Sequence, residues 1–150
     1  QERLMRSGTL ATPLIVGFGE AVKLIKENMQ IYLQHSLDMR NLLYDRLVNS
    51  VNNIELNGPN LNNRLCNNLN FTARGVDAAK LVENIGNKVA FSTGSACSTG
   101  GIEPSYVLKS IGLNDKDALS AFRISVGRYT SKNEIDIAAQ LISENIKKIR

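Results

Sequence analysis

Strand character is clearest in residues 119–127, which read LSAFRISVG. Apolar side chains alternate there with small or polar ones, so that Phe122, Ile124 and Val126 share one face and Ala121, Arg123 and Ser125 the other. A period of two is typical of a strand with one buried face. The pattern therefore predicts a strand that carries Arg123 on its more polar side.

A helical period dominates the first third of the chain. Apolar residues recur from Leu14 to Leu47 at steps of three or four, and only Ser36 interrupts the stripe. A single helix over residues 14–50 would be about 55 Å long at 1.5 Å per residue. That length exceeds the usual globular helix, so we expect it to kink or to run past the edge of its own domain.

Short elements follow the long helix. The pattern predicts strands at 54–56, 65–72 and 89–92 and helices at 76–85 and 104–111, the latter with Pro104 in its first turn. A capping box, Ser131 with Glu134, opens the last helix. This order predicts an α+β fold, in which a small, mostly antiparallel sheet is covered by helices on one side.

Composition excludes several classes of protein. Of the 150 residues, 43% are hydrophobic and 21% charged, as in globular domains, and no apolar run is long enough to span a membrane. The net charge of +4 is spread along the chain, which argues against a nucleic-acid-binding domain. Because the sequence begins with Gln1, without a visible signal peptide, we expect a processed product or a fragment.

Three residues could ligate a soft metal, namely Cys66, Cys97 and His35. Structural zinc requires four such ligands, so we expect no metal site. Two widely spaced cysteines fit a reducing compartment better than a secreted scaffold, which predicts a cytoplasmic protein.

One segment has no packing explanation: residues 92–101, STGSACSTGG. Ten small residues cannot form a core, so we expect an exposed, mobile loop that carries Cys97. Three interpretations remain open from composition: a glycine-rich connector with an incidental cysteine, a phosphate-binding loop, or a loop that presents a reactive thiol.

The surrounding motifs narrow this choice. The loop continues into EPSYVLK at 103–109 and is followed by FRISVGRYT at 122–130, while MRSGTL at 5–10 precedes the long helix. Together they resemble the C-terminal part of a pyridoxal-phosphate-dependent cysteine desulfurase of the iron–sulfur cluster assembly type, in the class-V aminotransferase family. The resemblance runs from about Met5 to the last helix. It implies the small C-terminal domain of a fold-type I transferase.

The resemblance also implies a domain organisation. Residues 1–13 would be a lead-in segment from a large cofactor domain, residues 14–50 an inter-domain helix, and residues 51–150 the small α+β domain.

Roles for single residues come from the same resemblance. Cys97 matches the cysteine that attacks the substrate sulfur and carries it as a persulfide. Arg123 matches the arginine that holds the substrate carboxylate, with Arg128 as the second choice. Thr9 matches a threonine that contacts the cofactor phosphate of the other subunit in a homodimer. Cys66 and His35 receive structural roles only.

The implied activity converts L-cysteine to L-alanine and passes sulfur to an iron–sulfur scaffold or another acceptor protein. No lysine here matches the one that binds the cofactor covalently, so we expect this chain alone to be inactive. Two alternatives stay open: a non-catalytic remnant or split-gene fragment with a structural or partner-binding role, and a relative that acts on another amino acid. Cys97 argues against the latter.

Overall fold

A computed structural model describes residues 8–93 and 103–150 of the chain. Its helices are α1 (Thr12–Ser50), α2 (Ala78–Ile85), α3 (Tyr106–Ser110), α4 (Asp115–Leu119) and α5 (Lys132–Ile149). Its strands are β1 (Ile54–Leu56), β2 (Asn68–Ala73), β3 (Ser92–Thr93) and β4 (Ala121–Ser125), and a 3₁₀ turn covers Leu61–Asn63. The chain divides into two compact units, Gln1–Tyr32 and Leu33–Arg150. The predicted domain boundaries after residues 13 and 50 stay predictions.

The first unit contains the segment before α1 and the first part of that helix. The apolar stripe predicted from the sequence is present there, but its side chains are exposed, since Leu14 and Phe18 keep 76% and 72% of their surface. The single helix from Thr12 to Ser50 confirms the long helix predicted from the stripe.

The second unit is built on a four-stranded sheet in the order β1-β2-β4-β3, with every neighbouring pair antiparallel. The two long strands, β2 and β4, are central, and each outer strand has three residues or fewer. This confirms the α+β sheet predicted from the alternating segments.

One face of the sheet enters the main core. Phe71 and Phe122 are fully buried there, and the rings lie 5.9 Å apart. Side chains from the last part of α1, from α2 and from α5 complete the core: Leu43, Leu47, Leu81, Ile142 and Ile146. Full burial of a side chain of this size stabilises a fold by about 1.5–3 kcal/mol. These three helices therefore cover one face, as the sequence predicts.

A second, smaller cluster lies on the opposite face. Leu108 of α3 and Ala118 of α4 pack with Ala121 of β4. Ala121 lies two residues before Arg123, so the two side chains share a face. The sequence predicted helices on one side of the sheet only, whereas α3 and α4 form a second layer on the other side.

The sequence missed α4, and its boundaries for several other elements were wrong, including β2, which begins at Asn68 rather than at residue 65. Asn114 caps α4, accepting a hydrogen bond from the Asp117 amide, and two aspartates in the first turn favour a helix there. β3 begins at Ser92 rather than at residue 89, and α2 begins after its cap, Asp77. Pro104 precedes α3 instead of lying in its first turn. The capping box predicted for the last helix is confirmed.

Buried Arg40 fixes the irregular segment ahead of β2. Its guanidinium donates to the Leu65 carbonyl at 3.0 Å and to the Asn41 side chain. Because a buried cation needs its donors satisfied, Arg40 holds residue 65 against α1. None of the helices in the described ranges is long and apolar enough to cross a membrane.

Candidate active site

A row of polar residues crosses the sheet on the face opposite the main core. Arg123 of β4 is paired in register with Asn70 of β2 on one side and with Ser92 of β3 on the other. Asn57, directly after β1, continues the row because its amide donates to the Asn70 carbonyl at 2.8 Å. Residues paired in an antiparallel register share a face, so these four side chains lie side by side.

All four residues of this row line one cavity of about 580 Å³. The segment that leads into α3 and the first residues of that helix also line the cavity, including Glu103, Tyr106 and Val107. A concave site of this volume, which combines apolar side chains with a few polar groups, is typical of a small-molecule site. We call it the Arg123 cavity.

Among the residues that the structure describes, Arg123 is the one cation in the wall of this cavity. Its side chain is exposed, and with the residues described here it forms neither a hydrogen bond nor an ion pair. Glu103 lines the same cavity but is not within ion-pair distance of the guanidinium. An anion can therefore bind the five N–H donors of the Arg123 guanidinium without breaking a salt bridge to any residue that the structure describes.

Hydrogen bonds hold the neighbouring asparagines in place. The Asn57 side-chain amide donates to Asn70 Oδ1 at 2.7 Å and to Thr72 Oγ1 at 2.9 Å. Thr72 is buried, and its hydroxyl also lies 3.1 Å from Asn57 Oδ1. Gly58, at φ +79°, has the left-handed backbone conformation in the turn that follows Asn57. The polar wall is thus braced beside Arg123.

The structure places some of the predicted site residues but not others. Arg123 lies on the polar face of its strand, as predicted, and lines the cavity. Cys97 lies outside the described residues. Thr9 is an exposed residue of the first unit, just ahead of α1. Arg128 does not line the cavity, and its guanidinium lies 4.6 Å from the centre of the Tyr129 ring.

The two residues given structural roles do pack within the second unit. The His35 Nε2 lies 2.9 Å from the Thr130 carbonyl, to which it donates a hydrogen bond, and the ring is half-buried. Cys66 is half-buried just before β2. Among the residues described, no three His, Cys, Asp or Glu side chains come together as a metal site.

Sequence reasoning missed Asn57 and Asn70. The alternation predicted for 65–72 put Asn68, Asn70 and Thr72 on one face, but nothing in the pattern showed that this face lies beside Arg123. The available signal was the turn sequence NGP at 57–59, since an Asn that ends a strand at a tight turn can bond back to the neighbouring strand.

Comparison with known proteins places the chain in a family. The family model described as aminotransferase class-V matches residues 1–137. The chain belongs to the class-V aminotransferase family. Two similar curated proteins are each named "Cysteine desulfurase IscS". The protein of Mannheimia succiniciproducens is 43% identical over 152 residues, and that of Rickettsia rickettsii is 42% identical over 154 residues.

Solved structures agree with this assignment. A NifS-like protein superposes with a TM-score of 0.81 at 27% identity and covers 99% of the chain. A NifS-like protein from Rickettsia africae gives a TM-score of 0.80 at 25% identity, again over 99% of the chain. The alignments cover 37% and 38% of those two chains. The chain spans 36% of the length of the curated relatives it matches.

Proposed function

We propose that this chain supplies the carboxylate-binding arginine and the sulfur-carrying cysteine of a cysteine desulfurase. The observation that carries the proposal is Arg123, whose guanidinium has no partner among the described residues and lies in the wall of a cavity of about 580 Å³. The names of the relatives favour the same activity. In the complete enzyme, L-cysteine would be converted to L-alanine while its sulfur passes to Cys97.

Arg123 would bind the α-carboxylate of L-cysteine. A guanidinium can donate two parallel hydrogen bonds to one carboxylate, which fixes the position and the orientation of the substrate together. The central place of β4 in the sheet supports this role, because a binding residue on a paired strand is held more rigidly than one on a loop.

Cys97 would receive the sulfur. It lies four positions after Thr93 and six before Glu103, and both of these residues line the Arg123 cavity. Four residues span at most about 14 Å, so the covalent chain keeps Cys97 within reach of the cavity. Its thiolate would attack the sulfur of L-cysteine. The S–S bond forms as the substrate Cβ–S bond breaks, and proton uptake at that carbon gives L-alanine.

Pyridoxal phosphate is the cofactor of this proposal, and when bound it supplies the electron sink for cleavage of the C–S bond. Thr9 would contact its phosphate across the subunit boundary of a homodimer. The Thr9 side chain is exposed and has no partner among the described residues, which fits a hydroxyl that donates to a phosphate oxygen. We extend the proposal to sulfur delivery to an iron–sulfur scaffold in the cytoplasm, as the resemblance implies.

The test uses the complete enzyme that contains this chain, with Cys97→Ser as the variant and Cys66→Ser as the matched control. Cys97→Ser is expected to abolish alanine formation and the persulfide adduct seen by mass spectrometry, and to leave L-cysteine binding within about twofold. Cys66→Ser should keep both. Normal alanine formation by Cys97→Ser would refute the role of Cys97. A wild-type enzyme that forms no alanine from cysteine would favour the non-catalytic alternative.

A further inference from the structure

Asn70 lies next to Arg123 and has a donor to spare. Its side chain is half-buried in the wall of the Arg123 cavity, at the register position that faces Arg123 across β2 and β4. Asn70 Oδ1 is used as acceptor of the 2.7 Å hydrogen bond from Asn57. With the residues that the structure describes, Asn70 Nδ2 makes no hydrogen bond.

Asn57 fixes which atom of Asn70 is available. It donates twice to Asn70, from its backbone amide to the carbonyl and from its side chain to Oδ1. The buried hydroxyl of Thr72 lies within hydrogen-bond distance of both Asn57 Nδ2 and Asn57 Oδ1. Rotation of the Asn70 amide would bring its Nδ2 against the Asn57 Nδ2, two donors without an acceptor. With Asn57 in the orientation that the structure shows, the Nδ2 of Asn70 is directed away from Asn57.

We propose that Asn70 is a second donor to the substrate carboxylate, beside Arg123, and that Asn57 positions it. A carboxylate has about four lone-pair sites, and a bidentate guanidinium occupies two of them. A neutral amide next to the guanidinium can occupy a third without adding charge. The inference rests on the proposed function, because it assigns a carboxylate to the Arg123 cavity.

Two variants of Asn70 test the contact in different ways. Asn70→Ala removes both functions of the side chain. Asn70→Asp has nearly the same shape and still accepts the hydrogen bond from Asn57, but it places a negative charge beside Arg123, which weakens carboxylate binding there whatever the role of Asn70. The aspartate variant therefore tests whether a carboxylate binds next to Asn70, and the alanine variant tests the donor. If Asn70 only braces Asn57, any loss in Asn70→Ala should be equal for L-cysteine and for an analogue without the carboxylate.

The experiment measures kcat and KM for L-cysteine in the complete enzyme. Asn70→Ala is expected to raise KM about tenfold with kcat nearly unchanged, as for the loss of one hydrogen bond to a charged group. Asn70→Asp is expected to raise KM roughly a hundredfold, since its carboxylate repels that of the substrate and attracts Arg123. Asn133→Ala and Asn133→Asp, at an exposed site on α5, serve as matched controls and should stay within about twofold.

Cysteamine, which is L-cysteine without its carboxylate, tests the contact directly. Its inhibition constant should be the same in the wild type and in Asn70→Ala within about twofold. Thermal unfolding of each variant shows whether the sheet is intact. Equal losses for cysteine and cysteamine, or an Asn70→Asp enzyme with wild-type KM, would overturn the proposal.

Failure of this inference can be told apart from failure of the proposed function. If the wild type forms alanine and Arg123→Ala weakens cysteine binding while both Asn70 variants bind normally, only the role of Asn70 is refuted. If the wild type forms no alanine, the proposed function itself fails.

Discussion

Phe122 and Arg123 are adjacent in the sequence, but their side chains lie in different environments on opposite faces of β4. The Phe122 side chain is fully buried, with its ring centroid about 6 Å from those of Phe71 and Phe91. The Arg123 side chain points to the other face of β4, where it is exposed and lines a cavity. Because successive side chains point in opposite directions, β4 contributes to the core through one face and to the cavity through the other. Stability should depend on one face and substrate binding on the other.

The largest effect is expected on the buried face. Phe122→Ala removes a ring that packs against two others, and the cavity it leaves should lower the free energy of unfolding by about 3–5 kcal/mol. Thermal unfolding of the complete enzyme, with amide exchange followed in β2 and β4, measures the loss. Phe122→Leu, which refills most of the space, should recover much of the stability. If Phe122→Ala changed the stability as little as Arg123→Ala does, the expected difference between the two faces would be wrong.

The next largest effect concerns binding. Arg123→Ala should leave stability nearly unchanged and weaken L-cysteine binding by ten- to a hundredfold, which corresponds to about 1.5–3 kcal/mol for a charged bidentate contact. Arg123→Lys should recover only part of the affinity, since an ammonium lacks the planar fork. Arg128→Ala is the control. Should Arg123→Ala bind cysteine normally and Arg128→Ala not, the carboxylate contact would belong to Arg128.

The smallest effect concerns the start of α5, which packs on the buried face. Ser131 and Glu134 form a capping box, in which the Ser131 amide donates to the Glu134 carboxylate at 2.7 Å. Ser131→Ala should destabilise the fold by about 1 kcal/mol. Cysteine binding by the folded enzyme should not change, because the cap lies outside the Arg123 cavity.

The same cap predicts a dependence on pH. Hydrogen bonds from the Ser131 amide and hydroxyl lower the pKa of Glu134 below 4.5. A lowered pKa in the folded state means that the contribution is fully present above about pH 4.5 and is lost as the pH falls through the folded value. The difference in Tm between wild type and Glu134→Gln should therefore be constant near neutral pH and shrink in acid. A difference that grows below about pH 4 would contradict this.

Local patterns predicted the elements well and their arrangement only in part. The alternation around Phe122 and the stripe along α1 were sufficient for β4 and the long helix, since a half-buried strand and an amphipathic helix have different periods. Five-residue α4 was missed because so short a helix shows little periodicity, and its signals are limited to the cap, Asn114, and the two aspartates of its first turn.

The site was harder to predict than the fold. The polar face of β4 follows from alternation, and the role of Arg123 came from the resemblance. The pairing of Asn70 with Arg123 depends on the order β1-β2-β4-β3, in which β2 and β4 are neighbours although some fifty residues separate them in the chain. Sequence periodicity shows which face of a strand is buried but not which strands become neighbours in the sheet.

The edges of the sheet have a consequence for self-association. Among the described residues, β1 and β3 are the outer strands, and they contribute three and two residues. An outer strand offers unpaired N–H and C=O groups on which another chain can add a strand, and the risk rises with the length of the exposed edge. A three-residue edge such as β1 gives an incoming strand little to pair with. On the β1 side, the sheet that holds the cavity is thereby a poor template for edge-to-edge aggregation.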